Sequence, residues 1–314
     1  MTMDVAAYAG LSSGAGAQAE ALARTAPSPL RGRGRLLPWL REQRRGGVPE
    51  HRLELVRYRI APASWPRDLP LSIVIIADPH AGGPHTPPER LARAVGMANA
   101  LRPDLVVLLG DYLADGRFIA NRPTMRQVAE ILAGLRAPLG VHAVLGNHDW
   151  WECAAAQSGT RALPEAAEAF AAAGLPVMHN ELRRLEHRGR TVWLAGLGSQ
   201  WAYRHRGVIH GADDLEGTLA GIPAGAPSIL LAHEPDIFPL VPEHVGVTLS
   251  GHTHGGQVRV RGYSPLVPSR YGNRYAYGAV VEDDRHLIVS GGIGNSMLPV
   301  RFGMPPEVTL VELA

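Results

Sequence analysis

The sequence lacks several features that would point to particular protein classes. Its 314 residues include a single cysteine, Cys153, which excludes an internal disulfide. Charge of one sign is scarce, because 31 Lys and Arg face 29 Asp and Glu, leaving a formal net charge of +2. This balance argues against bulk nucleic-acid binding, so we expect no nucleic-acid partner. The first fifty residues contain no apolar run near the ~20 residues of a membrane span, nor a signal-peptide core. We therefore expect a cytoplasmic protein.

The first fifty residues differ in composition from the rest of the chain. Residues 1–29 are rich in Ala, Gly and Ser, and residues 31–45 read RGRGRLLPWLREQRR. One interpretation is a disordered basic tail over residues 1–50. The other is a weak peripheral contact of residues 31–45 with the inner membrane, in which arginines face acidic lipid and Trp39 lies at the interface. In both interpretations a single domain occupies residues 51–314.

Short apolar runs alternate with helical segments through this domain. The runs that predict strands are LSIVIIA (71–77), DLVVLL (104–109), VHAVL (141–145), TVWLAGL (191–197), SILLA (228–232), VGVTLS (245–250), HLIVS (286–290) and EVTLVEL (307–313). Helices are predicted over residues 89–101, 124–135 and 164–173. Helices dominate the early connections and strands the later part, which favours an α/β fold with two packed sheets.

Five of these predicted strands are followed directly by side chains of the types that bind metals. These side chains are Asp78, His80, Asp111, Asn147, His148, Asp149, His233, His252 and His254. In open α/β sheets, sites form beyond the carboxyl ends of the strands, so residues distant in sequence can converge there. Carboxylates, imidazoles and one amide, without a thiolate, suit Mn, Fe, Zn or Co. They do not suit an iron–sulfur cluster or a closed structural zinc site.

The order of these blocks resembles the calcineurin-like metallophosphoesterase superfamily. The blocks are Asp-x-His, Gly-Asp, Gly-Asn-His-Asp, His and Gly-His-x-His, and the resemblance extends over roughly residues 53–314. The flanking stretches RPDLVVLLGDY, GVHAVLGNHDWW, LLAHEPD and SGHTHGGQ are similar to the bacterial YkuE/YaeI-type phosphodiesterase branch. The resemblance implies a four-layer αββα sandwich of two mixed β-sheets flanked by helices.

The same resemblance implies a binuclear metal centre. One divalent cation would be held by Asp78, His80, Asp111 and His254. The second would be held by Asp111, Asn147, His233 and His252, so that Asp111 bridges the pair. Mn, Fe, Zn, Co and Ni all accept these ligands, and we favour Mn. His148 would stabilise the phosphate and help to protonate the leaving oxygen, and Asp149 would orient its imidazole.

These implied roles predict a metal-dependent phosphodiesterase. The enzyme would hydrolyse a phosphodiester or pyrophosphate bond through a metal-activated hydroxide. The substrate would be a phosphate ester, either lipid-linked or a nucleotide. Two alternatives stay open: a phosphomonoesterase, and a catalytically weak binding or scaffold protein on the same fold. Loss of catalysis normally shows as missing ligands, and none is missing from the motifs.

Three further features have two interpretations each. Trp150 and Trp151 either pack beneath the site or line the substrate pocket. The stretch SQWAYRHRG (199–207), with Arg204 and Arg206, forms either a rim for an anionic substrate or a solvated loop. Arg301 either fixes a phosphate or pairs with a carboxylate.

Overall fold

The computed structural model describes residues 52–114, 119, 121–296 and 300–314. The predicted tail, with its proposed membrane contact at residues 31–45, lies outside this part. The strands described are β1 (Glu54–Ile60), β2 (Leu71–Ile76), β3 (Leu105–Leu108), β4 (Val141–Ala143), β5 (Glu181–His187), β6 (Arg190–Gly196), β7 (Tyr203–His205), β8 (Val208–His210), β9 (Ser228–Leu231), β10 (Val247–Ser250), β11 (Gly278–Glu282), β12 (Arg285–Val289) and β13 (Glu307–Leu313).

The helices are short and mostly follow strands of the first half of the chain. They are α1 (Pro88–Ala100), α2 (Met125–Leu132), α3 (Asn147–Trp151), α4 (Ala154–Gln157), α5 (Glu165–Ala172) and α6 (Leu215–Leu219), with 3-10 helices at Pro235–Leu240, His254–Gly256 and Gly272–Tyr275. Local sequence explains their starts. Prolines open α1, and a capping box between Thr124 and Gln127 opens α2. Within the described residues, no helix is long and apolar enough to cross a membrane. A cytoplasmic location stays a prediction.

Two mixed sheets form the centre of the molecule. The first has the strand order β1-β13-β2-β3-β4, in which β2, β3 and β4 are parallel and β13 runs antiparallel to β2. The second has the order β11-β12-β10-β9-β6-β5, with four parallel central strands and an antiparallel strand at each edge. Strands β7 and β8 form a separate two-stranded hairpin.

The layers follow from the alternation of side chains along the strands. In β2, Ile73 and Ile75 point into a core shared with Val192, Ile229 and other residues of the second sheet. Val74 and Ile76 of the same strand belong to a second core, which includes buried residues of α1, α2 and α5. Both faces of the central strands are therefore buried, which explains why their sequences are continuous apolar runs.

A thin outer layer covers the other face of the second sheet. Leu219 of α6 and Ile237 of the first 3-10 helix pack against Leu230 of β9. Phe238 and Tyr275 pack against β12. The order is helix, sheet, sheet, helix, so the predicted four-layer αββα sandwich of two mixed sheets is confirmed. Its second helical layer consists of short helices and 3-10 turns.

Candidate metal centre

The residues that follow β2, β3, β4, β9 and β10 converge at one edge of the sandwich. Each strand ends in a turn that delivers one or two of the predicted ligands, which are Asp78, His80, Asp111, Asn147, His233, His252 and His254. None of these side chains is more than 5% exposed. A buried cluster of carboxylates and imidazoles requires partners, because isolated buried charges are costly.

The side chains of the centre form two adjacent groups. In the first, Asp78, His80 and His254 offer ligand atoms that all lie within 4.8 Å of one another. In the second, Asp111, His233 and His252 meet the same limit. The structure thus divides the six charged or ionisable ligands as the sequence predicted. The amide of the predicted ligand Asn147 joins the second group, since its Oδ1 lies 3.1 Å from His233 Nε2.

Asp111 lies between the two groups. Its Oδ2 is 3.5 Å from Nε2 of His80, in the first group, and 3.2 Å from Nε2 of His233, in the second. Its Oδ1 accepts a hydrogen bond of 2.9 Å from the backbone N–H of His148. One carboxylate oxygen is therefore held by the backbone while the other faces both groups. This is the geometry that a bridging ligand requires.

The backbone of the ligands is strained. Asp78, His80, Asp111, His252 and His254 have φ values of 47°, 37°, 57°, 67° and 52°. Residues with side chains rarely adopt this left-handed region, and such conformations cost about 1–3 kcal/mol each. The surrounding fold must supply that energy. Strain of this kind concentrates at functional sites, because it aims side chains that a regular strand would point elsewhere.

Two glycines make room for the ligands. A Cβ atom at Gly146 would overlap Oδ1 of Asp111 and the ring of His233, and one at Gly251 would overlap Oδ2 of Asp78. The glycine in the Gly-Asn-His-Asp and Gly-His-x-His motifs is therefore required by close approach of backbone to ligand.

Burial dominates the electrostatics of the centre. It lowers the pKa of His252 to about 3 and that of His254 well below 6.5, so both imidazoles are neutral. Burial raises the pKa of Asp78 to about 6. Burial would also raise the pKa of Asp111, but His233 and His148 hold that pKa well below 3.8. Neutral imidazoles and an ionised carboxylate are the protonation states that bind metal ions.

The donor set fits divalent cations. Two ligands at the usual ~2.1 Å from one ion are separated by about 3–3.5 Å, and the N···O distances in the centre span 3.2 to 4.0 Å. Most of these distances exceed a normal hydrogen bond. Nε2 of His254 is buried and has no hydrogen-bond partner in the described part of the chain. A cation would satisfy this nitrogen and neutralise the carboxylates around it.

Backbone carbonyls fix the orientation of two histidines. Nδ1 of His233 lies 2.5 Å from the carbonyl oxygen of Leu109, and Nδ1 of His254 lies 3.2 Å from that of Gly294. A proton on each Nδ1 leaves Nε2 free to face the cluster, as is usual for metal-binding histidines.

Arg301 has a role that neither prediction anticipated. Its buried guanidinium donates to the carbonyl oxygens of Gly291 (2.8 Å), Gly294 and Met304, and it lies 3.0 Å from Nδ1 of His254. Arg301 therefore fixes the loop behind His254, where it is 1% exposed and cannot reach a substrate phosphate.

His148 lies beside the first group without belonging to it. Its ring is 5.1 Å from that of His80 and 5.0 Å from that of Trp151, both measured between centroids. Its Nε2 is 3.5 Å from Oγ of Ser296, a residue that sequence reasoning missed because nothing in its local sequence marks it. His148 is placed next to the cluster, where it can contact a bound phosphate.

The contacts of Asp149 differ from the predicted orientation of the His148 ring. Its carboxylate accepts hydrogen bonds from the backbone N–H groups of Asp111 (2.9 Å), Tyr112 (3.0 Å) and Gly146 (2.8 Å). These bonds join the turn after β3 to the turn after β4. Asp149 thus acts on the backbone that carries Asp111 and Asn147, which corrects the assigned role.

The tryptophans divide between the two interpretations. Trp150 is fully buried and packs against Tyr203 at a centroid distance of 5.1 Å. Trp151 lies between His148 and Arg204, whose guanidinium is 3.7 Å from the ring centroid. Trp201, which the sequence analysis did not single out, lies edge-on to His252 at 4.8 Å. Its only sequence signal was the aromatic and basic composition of residues 199–207.

Comparison with known proteins identifies the family. The sequence matches the calcineurin-like phosphoesterase family over residues 71–256, a range that contains all the predicted ligands. It is 30% identical over 266 residues to the uncharacterized metallophosphoesterase YkuE of Bacillus subtilis, covering 84% of this chain and 86% of that protein. It is 29% identical over 267 residues to phosphodiesterase YaeI of Escherichia coli, covering 83% and 88%. It is also 30% identical over 250 residues to a transmembrane protein with metallophosphoesterase domain of Danio rerio, covering 77% and 53%.

Proposed function

The chain belongs to the calcineurin-like phosphoesterase family of phosphate-ester hydrolases, and from that premise we propose that it is a two-metal phosphodiesterase. The observation that supports this most strongly is the position of Asp111. Its Oδ2 lies within 3.5 Å of a histidine nitrogen in each of the two ligand groups. One carboxylate shared between two cations is the arrangement that binuclear phosphoesterases use.

The two groups of side chains would hold two divalent cations. Asp78, His80, Asp111 and His254 would hold one, and Asp111, Asn147, His233 and His252 the other. Two divalent cations in this position supply positive charge for the phosphate oxygens and acidify a water molecule. We favour Mn among Mn, Fe, Zn, Co and Ni, which all accept these nitrogen and oxygen donors.

The remaining side chains act on the substrate. His148 lies beside the first group, where it stabilises the phosphate and protonates the leaving oxygen. Trp151 and the exposed Arg204 lie next to His148, so they contact the leaving group, and the guanidinium favours one that carries negative charge. Asp149 is a positioning residue, since its three hydrogen bonds go to the backbone beside Asp111 and Asn147.

The substrate class proposed is a phosphodiester or pyrophosphate, lipid-linked or nucleotide. Similarity to a protein named phosphodiesterase over 83% of this chain supports the diester. The apolar and cationic side chains of Trp151 and Arg204 beside the catalytic histidine also favour a leaving group larger than water.

Hydrolysis of two chromogenic probes tests the proposal. Protein loaded in turn with each of the five metals would be assayed on bis-p-nitrophenyl phosphate and on p-nitrophenyl phosphate, with His148→Ala as the control. We expect metal-dependent turnover with preference for the diester. Preference for the monoester would identify a phosphomonoesterase instead. If neither probe is hydrolysed faster than by His148→Ala, the chain is a binding protein on this fold and the proposal fails.

A further inference from the structure

A loop that directly follows the last metal-ligand motif concentrates exposed apolar side chains. Over residues 260–271, four large apolar side chains are exposed: Val260 (53%), Tyr263 (62%), Leu266 (62%) and Tyr271 (40%). The other exposed large apolar residues of the described chain are Val208, Leu240 and Val281. More than half of such residues therefore lie in one 12-residue stretch. Clustered apolar exposure, unlike scattered apolar exposure, marks an interaction surface.

The tip of this loop is a tight hairpin. The backbone N–H of Val260 donates to the carbonyl of Tyr263 (2.9 Å), and the N–H of Tyr263 donates to that of Val260 (3.0 Å). Between them, Arg261 and Gly262 have φ values of 51° and 83°, as in a type I′ turn. Residues that flank a two-residue turn project from the same face of the hairpin. Val260 and Tyr263 therefore form one apolar tip with Arg261 at its apex.

The base of the hairpin is fixed to the body of the protein. The N–H of Arg259 donates to the carbonyl of Phe302 (2.7 Å). Ser264 is buried, and its Oγ donates to the carbonyl of Gly255 (2.6 Å) while its N–H donates to Oδ1 of Asn273 (2.8 Å). The tip is consequently held in place, so that docking it would cost little conformational entropy.

The loop lies next to the metal centre. Gly255, to which Ser264 is bonded, follows His254 directly. A Cβ atom at Gly256 would overlap Ser264 and the carbonyl oxygen of Leu266, so the loop backbone packs closely against this turn. Whatever binds the outer face of the loop is thereby brought beside the cations' ligands.

The charge of the loop selects among the surfaces that could cover it. Residues 244–281 contain four arginines, at positions 259, 261, 270 and 274, and no Asp or Glu. Arg274 is paired with Glu282, whereas Arg261 is exposed at the apolar tip. Tyrosine and arginine around a small apolar tip are typical of segments that enter the interface of a bilayer with anionic lipids.

We propose that residues 258–271 form a membrane-docking loop for bilayers that contain anionic phospholipid. Val260, Tyr263 and Leu266 enter the headgroup region, and Arg261 contacts lipid phosphates. Docking presents the metal centre to phosphate esters at the membrane surface. The proposal does not depend on hydrolysis, because lipid binding can be measured without turnover.

Vesicle flotation of the full chain tests the docking loop. Phosphatidylcholine vesicles would be compared with and without phosphatidylglycerol, for the wild type and for Val260→Ser/Tyr263→Ser/Leu266→Ser. The matched control is Leu240→Ser/Val281→Ser, which removes exposed apolar side chains elsewhere. We expect the wild type and the control to bind the anionic vesicles, and the triple variant to bind them at least about tenfold more weakly. Arg261→Gln should weaken binding to anionic vesicles alone.

Further measurements separate this loop from other causes. Turnover of bis-p-nitrophenyl phosphate should be the same in the triple variant and the wild type, since neither tip nor probe involves lipid. Equal vesicle binding by the triple variant and the wild type overturns the proposal. So does a loss of binding caused only by replacing the arginines of residues 31–45. If light scattering shows a dimer that the triple variant dissociates, without vesicle binding, the loop is instead an interface between copies of this chain.

Discussion

Replacement of Asp149 by asparagine would test how the turns that carry Asp111 and Asn147 are held together. The carboxylate accepts three hydrogen bonds, two on Oδ2 from Asp111 and Gly146 and one on Oδ1 from Tyr112. Asparagine can keep the two bonds on its single oxygen. Its NH₂ group would then face the N–H of Tyr112, leaving one buried donor unsatisfied and two donors opposed.

The magnitude follows from this count of bonds. A buried donor without a partner costs about 1–3 kcal/mol, and the two remaining bonds weaken when their acceptor loses its charge. We expect the free energy of unfolding to fall by about 2–3 kcal/mol. Because the turns of both ligand groups shift, metal affinity should fall by about 10- to 100-fold, as for other residues that support metal ligands.

Urea unfolding and metal titration by calorimetry would measure these changes at pH 7.5. Glu152→Gln is the matched control, because it makes the same chemical change in the residue that ends α3. Glu152 is 41% exposed and its ion pair with Arg122 spans 3.4 Å, so its loss should change stability by under about 1 kcal/mol. Suppose instead that Asp149→Asn keeps its stability and metal affinity but shifts the pH–rate profile. Asp149 would then act on His148, and the reasoning above would be refuted.

Three further outcomes are expected. His148→Ala should keep its metal content, measured by plasma mass spectrometry, while the rate on bis-p-nitrophenyl phosphate falls by about 10²–10⁴-fold; loss of metal would contradict the assigned role. Gly146→Ala should lower metal occupancy, because its Cβ overlaps Asp111 and His233, whereas a Cβ at Gly96 meets no atom within 4 Å and Gly96→Ala should leave occupancy unchanged; equal occupancy in the two would be evidence against the close approach. Removal of metal by a chelator should lower the melting temperature by about 5–10 °C in calorimetry, and an unchanged transition would mean that no cation stabilises the fold.

The central strands could be predicted from sequence because both their faces are buried. β2 and β3 are continuous apolar runs bounded by turn residues, and the helices between them begin at proline or at a capping box. Such local signals agree with the final packing, so the layered fold class followed from them together with the family resemblance.

The edge strands could not be predicted in the same way. β5 reads ELRRLEH and β11 reads GAVVE, and each is exposed at several positions. They exist because hairpins pair them with β6 and β12. The turns are Arg188-Gly189 and Asp283-Asp284, all with positive φ, which is the type I′ pattern. These dipeptides are weaker turn signals than Asn-Gly, so the sequence left both strands unassigned.

The positions of the ligands could be predicted more fully than their surroundings. Motifs at strand ends indicate which side chains converge, because the topology brings those ends to one edge. The role of Asp149 instead depends on bonds to residues 37 and 38 positions away, and that of Arg301 on carbonyls of a distant turn. The directions of such side chains depend on tertiary packing, which no local pattern encodes.

The central claim is that Asp111 joins two cations into one centre. Electron paramagnetic resonance of the manganese-loaded protein, with the metal content measured on the same sample, tests it most directly. The two ligand groups predict two manganese ions per chain and a spin-coupled spectrum, since ions about 3.5–4 Å apart interact magnetically. Asp111→Asn should lose that coupling. A wild-type spectrum of isolated manganese, with one ion per chain and no change in Asp111→Asn, would contradict the account.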